Sequence, residues 1–204
     1  MALELPSSIE QTGLKPHIVT GVLVQICRAI FSDPETIEEP NLKRYLWNPD
    51  PKLSRIQIES IYRYKTEDVQ ERPAVIVKRG NWVIEKLAIG DAYNAPLETG
   101  FEENSHIVVG KGTHTMFCLG TTGLEAELVG TEVYQALLGF LAVIRKQFCF
   151  AEFRVQQIGE IGRFEESSVH FAVPITVTYK FFIRWKLLRQ TPEWARSLII
   201  TETV

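Results

Sequence analysis

Residues 170–184 read HFAVPITVTYKFFIR, and every odd position is apolar: Phe171, Val173, Ile175, Val177, Tyr179, Phe181 and Ile183. Side chains along a strand alternate between its two faces, so this pattern predicts a β-strand with one side on a core. At ~3.3 Å per residue, a fifteen-residue run spans roughly 50 Å, against about 17–20 Å for an ordinary strand. Glu152–Glu160 reads as the strand before it, and Arg163–Ser168 as the turn between the two. The expectation is a long antiparallel hairpin that protrudes from the domain, with Arg163, Glu165 and Glu166 near its tip. Its apolar side would be covered by another molecule.

Working outward from this ribbon, Thr122-Gly-Leu-Glu125 is a capping box that opens a helix. Leu124, Leu128, Val133, Leu137, Phe140, Leu141 and Ile144 recur at helical spacing and predict one buried stripe. Arg145 and Lys146 suit the negative end of the helix dipole, and Gly130 and Gly139 mark places of close packing. Pro73–Lys78 and Trp82–Ile89 read as a hairpin across Arg79-Gly80-Asn81. Gly112–Leu119 is a further strand, Leu53–Tyr64 an earlier one, and Gly90–Ser105 a loop. Near the start, Thr20 caps a helix through Val22, Leu23, Ile26, Ala29 and Ile30, which Asp33-Pro34 stops. The fold class expected is α+β: an antiparallel sheet with helices on one face and a long protruding hairpin. The organisation expected is a single domain: an arm with a helix and a Pro-rich segment (1–52), a core (53–185) and a tail (186–204). Within the tail, Leu198–Thr201 can add a strand.

The chain has 204 residues, 45% of them hydrophobic and 23% charged, with a formal net charge of −3. That balance argues against nucleic-acid binding by the chain as a whole. Ile18–Phe31 is too short, and too interrupted by Gln25 and Arg28, to span a bilayer. No positive charge precedes an apolar run in MALELPSSIEQ, so synthesis without a secretory signal is expected. The cysteines Cys27, Cys118 and Cys149 are distant and odd in number, which predicts reduced thiols packed as small apolar side chains.

Motifs for chemistry are thin. Val108-Val109-Gly110-Lys111-Gly112-Thr113 lacks the glycine spacing of a phosphate loop and precedes a strand, so it reads as a tight turn. His17, His106, His114 and His170 show no metal-ligand spacing; His114 and His170 are expected as satisfied polar positions on a half-exposed sheet face. Cys118 sits within an apolar strand, where burial raises a thiol's pKa. Lys43-Arg44 with Tyr45 and Trp47 could meet a nucleic acid, but an anchor packed on the domain is the simpler reading. No catalytic residue, cofactor or metal is expected.

In order, RPAVIVKRGNWVIEKLAIGD (72–91), GTHTMFCLG (112–120), TGLEAELVGTEVYQALLGF (122–140) and EFRVQQIGEIGRFEESSVHFAVPITVTYKFFIRW (152–185) resemble the neck proteins of tailed bacteriophages, specifically the tail terminator or tail-completion group. The resemblance rests on element order and strand texture over about residues 53–185. It implies a six-fold ring of identical subunits that caps the finished tail tube, stops its growth and meets the head-closure protein of the connector. The partners implied are the chain itself, the tube protein and that connector protein, with DNA passing through unbound and no membrane involved. The location implied is the virion neck, after synthesis in the host cytoplasm. On this reading Gly162, Arg163, Phe164, Glu165, Glu166 and Ser167 touch the partner, and Glu102, Glu103, Glu125 and Glu127 line the lumen. A head-closure adaptor, or an intracellular module that binds a protein or a small ligand, is the alternative.

Overall fold

The computed structural model describes residues 16–64, 72–86, 92–94, 104–164 and 170–187. In chain order they form helix α1 (Pro16–Ile30), a 3₁₀ turn (Pro40–Leu42), strands β1 (Gln57–Ser60), β2 (Ala74–Lys86), β3 (Ala92–Asn94) and β4 (Asn104–Gly120), helix α2 (Gly123–Gln147), and strands β5 (Glu152–Ile158), β6 (Gly162–Arg163) and β7 (Phe171–Leu187). The chain divides into two compact units, one of residues 14–83 and 111–181, the other of 1–13, 84–110 and 182–204. In the smaller unit β3 pairs antiparallel with the start of β4, Ala92 opposite His106 and Asn94 opposite Asn104. The span expected to be a loop, Gly90–Ser105, therefore contains a strand.

The larger unit carries the α+β architecture. Its strands run in the order β1-β2-β4-β7-β5, with β6 also on β7. β5 and β6 are antiparallel to β7, but β1 is parallel to β2, so the sheet is mixed rather than antiparallel throughout. Residues 16–52 belong to this unit and are not an arm: α1 packs on β1 and α2. The first strand is shorter than Leu53–Tyr64, since Arg63 N–H turns back to the Ser60 carbonyl.

The alternation that predicts β7 holds, with a different cover. Val173, Ile175, Val177, Tyr179 and Phe181 are all buried. Val173 meets Gly130 of α2, so the chain's own helix layer lies on that face. β7 is no outstretched lever; it lies between β4 and β5 in the sheet. Gly130 permits this approach, as a Cβ there would sit 3.1 Å from the Val173 side chain. On the other face, Ala74, Ile76, Leu119, Ala172 and Phe164 form a smaller cluster with Phe117, Tyr64 and Ile61 against it.

Both glycine turns expected in the sequence are straight strand. At Gly80, within β2, a Cβ would overlap the Thr113 hydroxyl on β4; at Gly112, within β4, it would overlap the Tyr179 ring. A glycine inside a strand admits a neighbouring group close to the backbone, and here that neighbour lies far away in sequence.

The apolar cleft between two helices

Helix α2 begins as its sequence dictates. Thr122 Oγ1 accepts from Glu125 N–H at 3.2 Å, while the Glu125 carboxylate accepts from the Thr121 amide (2.7 Å) and hydroxyl (2.8 Å). The reciprocal leg of the cap thus lands one residue earlier than in the simple box. The buried face is Ala126, Val129, Gly130, Val133, Leu137 and Ile144. Four members of the expected stripe are outside it: Leu124 is 67% exposed and Phe140 51%, and Leu128 and Leu141 are half-buried.

Phe140 lines an open apolar cleft of ≈ 1020 Å³ between α1 and α2. Ile18, Val22 and Ile26 of α1 face Ala136, Phe140 and Val143 of α2 across it. Each set recurs three or four residues apart, so each helix offers one continuous ridge. Gly21 and Gly139 also line the cleft and have no atom within 4 Å of where a Cβ would stand. Gly139 therefore opens a space, whereas close packing was expected there. Glu132 shapes one end. Its buried carboxylate accepts from the Glu38 amide at 2.9 Å and the Glu39 amide at 3.1 Å, which ties the segment after α1 to α2. Of the described helices, α2 is long and apolar enough to cross a membrane by length and composition. Its core-facing residues are buried on the sheet, and part of its surplus apolar surface lines the cleft.

Below α1, His114 is fully buried, contrary to the half-exposed position expected, and His170 is buried as well. The Thr20 hydroxyl donates to the Pro16 carbonyl at 3.2 Å, so its oxygen accepts from His114 Nε2–H at 2.8 Å. This leaves His114 Nδ1 without a hydrogen bond. Burial, aided by the positive charge of Arg79, pushes the His114 pKa down to about 4. Burial likewise pushes the Tyr179 hydroxyl and the Cys27 thiol up to about 12, and raises the Cys118 thiol well above its usual value. These side chains stay neutral near pH 7 and behave as packing groups. Cys149 departs from the expectation of three buried thiols: it is exposed, at φ 53° just past the end of α2. Among the described residues no three His, Cys, Asp or Glu side chains gather as a metal site.

No protein-family model matches this chain, and no curated protein matches it.

The residues singled out from sequence are scattered. Gly162 and Arg163 are exposed on β6, but Phe164 is buried in the second core cluster, where it meets Tyr64 edge-on at 5.8 Å. Phe164 is a core residue and is withdrawn from the partner-contacting set. Glu165, Glu166 and Ser167 lie outside the described residues, as do Glu102 and Glu103. Glu127 is exposed. Glu125 is engaged: burial acts to raise its pKa, but hydrogen bonds from Tyr45 and Thr121 and the charge of Arg44 hold it below the usual carboxylate range. The aromatic residues beside Lys43-Arg44 are likewise occupied. Arg44 stacks on Tyr45 at 4.7 Å, and Arg28 lies 4.9 Å over Trp47 while binding the Ile58 carbonyl and Glu59. Those ring faces are covered by the chain's own arginines, which favours the anchor reading over base stacking.

The cleft itself was missed from sequence. Leu138, Phe140 and Val143 place apolar side chains around more of α2 than a single stripe needs, and that excess was the available signal.

Proposed function

We propose that this chain is a structural protein of the neck of a tailed bacteriophage, a tail terminator that forms a ring, caps the tail tube and joins it to the head connector. The observation that supports this reading is apolar surface left over after the core is complete. The interhelical cleft is open, with Phe140 and Val143 more than half exposed. Contiguous apolar patches of this kind mark surfaces that another protein covers. A closed ring joins one patch on each subunit to a different patch on the next, and the cleft is proposed as one of the two. The six-fold number and the named partners come from the resemblance in element order. The work of such a protein is geometric and needs no reacting group.

Mass by light scattering, together with negative-stain images, tests the reading. Rings of several copies are expected, and a chain that stays monomeric up to high micromolar concentration overturns it. One observation favours a second reading, a module for a small apolar ligand: the cleft volume of ≈ 1020 Å³ lies near the upper end of ligand pockets, roughly 300–1,000 Å³. Native mass spectrometry showing a monomer that carries a small molecule of fixed mass would select that alternative.

A further inference from the structure

Resting on the ring reading, we propose that neighbouring copies are joined by strand donation: the open edge of β5 in one copy pairs with Leu198–Thr201 of the next.

The sheet has two edges, and they are finished differently. At one edge the Gln57 and Ile61 amides bond to the Pro73 and Val77 carbonyls, so Ile58 between them turns its carbonyl outward. Arg28 of α1 donates to that carbonyl through Nε (3.2 Å) and Nη2 (3.1 Å). This edge, β1, is four residues long and is closed by the chain itself. β5 forms the other edge. Among the described strands it is bonded to β7 alone. The Gly159 amide donates to the Pro174 carbonyl at 2.7 Å, so the amide and carbonyl of Ile158, one position earlier, point away from β7. Gln156, Gln157 and Ile158 are exposed.

The side chains along this edge define what fits it. Register places Phe153, Val155 and Ile158 opposite Tyr179, Val177 and Ile175, so the three share the helix side of the sheet. Their burial runs out along the strand: Phe153 is buried, Val155 half-buried and Ile158 43% exposed. A further strand would set alternate side chains beside Val155 and Ile158 and cover them. Free edges are commonly guarded by Lys, Pro or an inward charge. Val155–Ile158 carries none of these, only a bulge between Val155 and Gln157.

The occupant is on the same chain. Residues 188–204 follow β7, and Leu198–Thr201 among them lies outside the described residues. Its composition suits a strand: Ile199, Ile200, Thr201, Thr203 and Val204 are β-branched, and no Gly or Pro follows Pro192. Leu198 and Ile200 stand two apart. Val155 and Ile158 are also two apart in register, because the bulge absorbs Gln156. Both apolar side chains of the donor therefore match the helix-side row, while backbone bonds to the outward groups supply affinity. A terminal segment of one copy on an internal edge of the next is a heterologous contact, the kind that closes a ring. The edge and the cleft adjoin the same helix, since α2 packs on both β5 and α1, so one neighbour can cover both.

The test uses two variants of the full chain. Leu198→Asp with Ile200→Asp spoils the donor, and Ile158→Pro removes the outward amide without removing a bond to β7. Each alone should keep the circular dichroism of wild type but need roughly tenfold more protein, or more, to form rings. Mixed one to one, they should form pairs and stop there. The intact tail of the Ile158→Pro chain enters the intact edge of the other chain, which has no working tail to pass on. Hydrogen exchange at the Ile158 amide should be slow in wild-type rings and fast in the donor variant. A mixture that gives no pairs, or equal exchange at Ile158, overturns the proposal, as it would if each tail served its own edge. Variants that ring at wild-type concentration also overturn it and leave the ring reading standing. A wild-type protein that stays monomeric to high micromolar concentration removes the ring reading, and this contact with it. Should Ile158→Pro lose its circular dichroism, Ile158→Lys is read in its place.

Discussion

The two faces of β7 are built from alternate residues of one strand and do opposite things. Val173, Ile175, Val177 and Tyr179 are sealed on the helix side, while Pro174, Thr176 and Lys180 remain partly open on the other. One face supplies the main core of the unit; on the other, Ala172 joins the smaller cluster and Thr178 is buried, while the rest stays partly open. The comparison teaches that period-two hydrophobicity marks a strand's buried side without naming what buries it. Here the cover is the chain's own α2, so the alternation that suggested a protruding lever describes an interior strand.

The sharpest way to break the contrast is to put one charge on each face in turn. Ile175→Asp should abolish folding or cost more than about 4 kcal/mol, because an unpaired carboxylate would be buried. Thr176→Asp, its neighbour on the open face, should stay within about 0.5 kcal/mol by urea denaturation. Equal losses would show that the open face is covered as well.

Next in size is Gly112→Ala. The added methyl overlaps the Tyr179 ring, so a loss of about 1–3 kcal/mol is expected from overpacking. In a Tyr179→Ala background that penalty should largely vanish, and a double-mutant cycle with no coupling would refute the contact.

A comparable effect is set by pH on the sealed side. His114 has a folded pKa of about 4, against about 6.5 for an unfolded histidine. Above about pH 6.5 it is neutral in both states and its contribution is complete. As pH falls from there to about 4, the unfolded chain takes up a proton that the folded chain refuses. Stability therefore drops, by up to about 3 kcal/mol in total. Denaturation of wild type and His114→Leu at pH 7 and pH 5 should show this slope only in wild type, superimposed on whatever the carboxylates contribute to both.

The smallest effect on stability belongs to the cleft. Phe140→Ser should change unfolding by less than about 1 kcal/mol, since the ring is half exposed, yet it should weaken assembly on the ring reading. A large loss of stability without a change in assembly would make Phe140 a core residue.

Local chemistry made some of this legible. Thr122 caps α2 because a hydroxyl three residues ahead of an amide can accept from it, and only the neighbouring backbone is needed. Cys27 and Cys118 were readable as buried thiols from their apolar surroundings in sequence. Gly80 was not readable as strand, and Gly112 only as the first residue of one, because the groups that require glycine there, Thr113 and Tyr179, stand on adjacent strands. The exposure of Phe140 was equally hidden. Its place in the helical repeat is compatible with burial, and only the spacing between α1 and α2 leaves it open.

The amino-acid sequence by itself determined where α2 begins, that residues 171–181 form a strand, and which side of that strand is apolar, since periodicity and capping depend on residues a few positions apart. Tertiary structure alone decided what covers that side, where glycines admit a neighbour, and that a cleft stays open between α1 and α2. Those outcomes depend on side chains that meet across dozens of residues, and no local pattern records them.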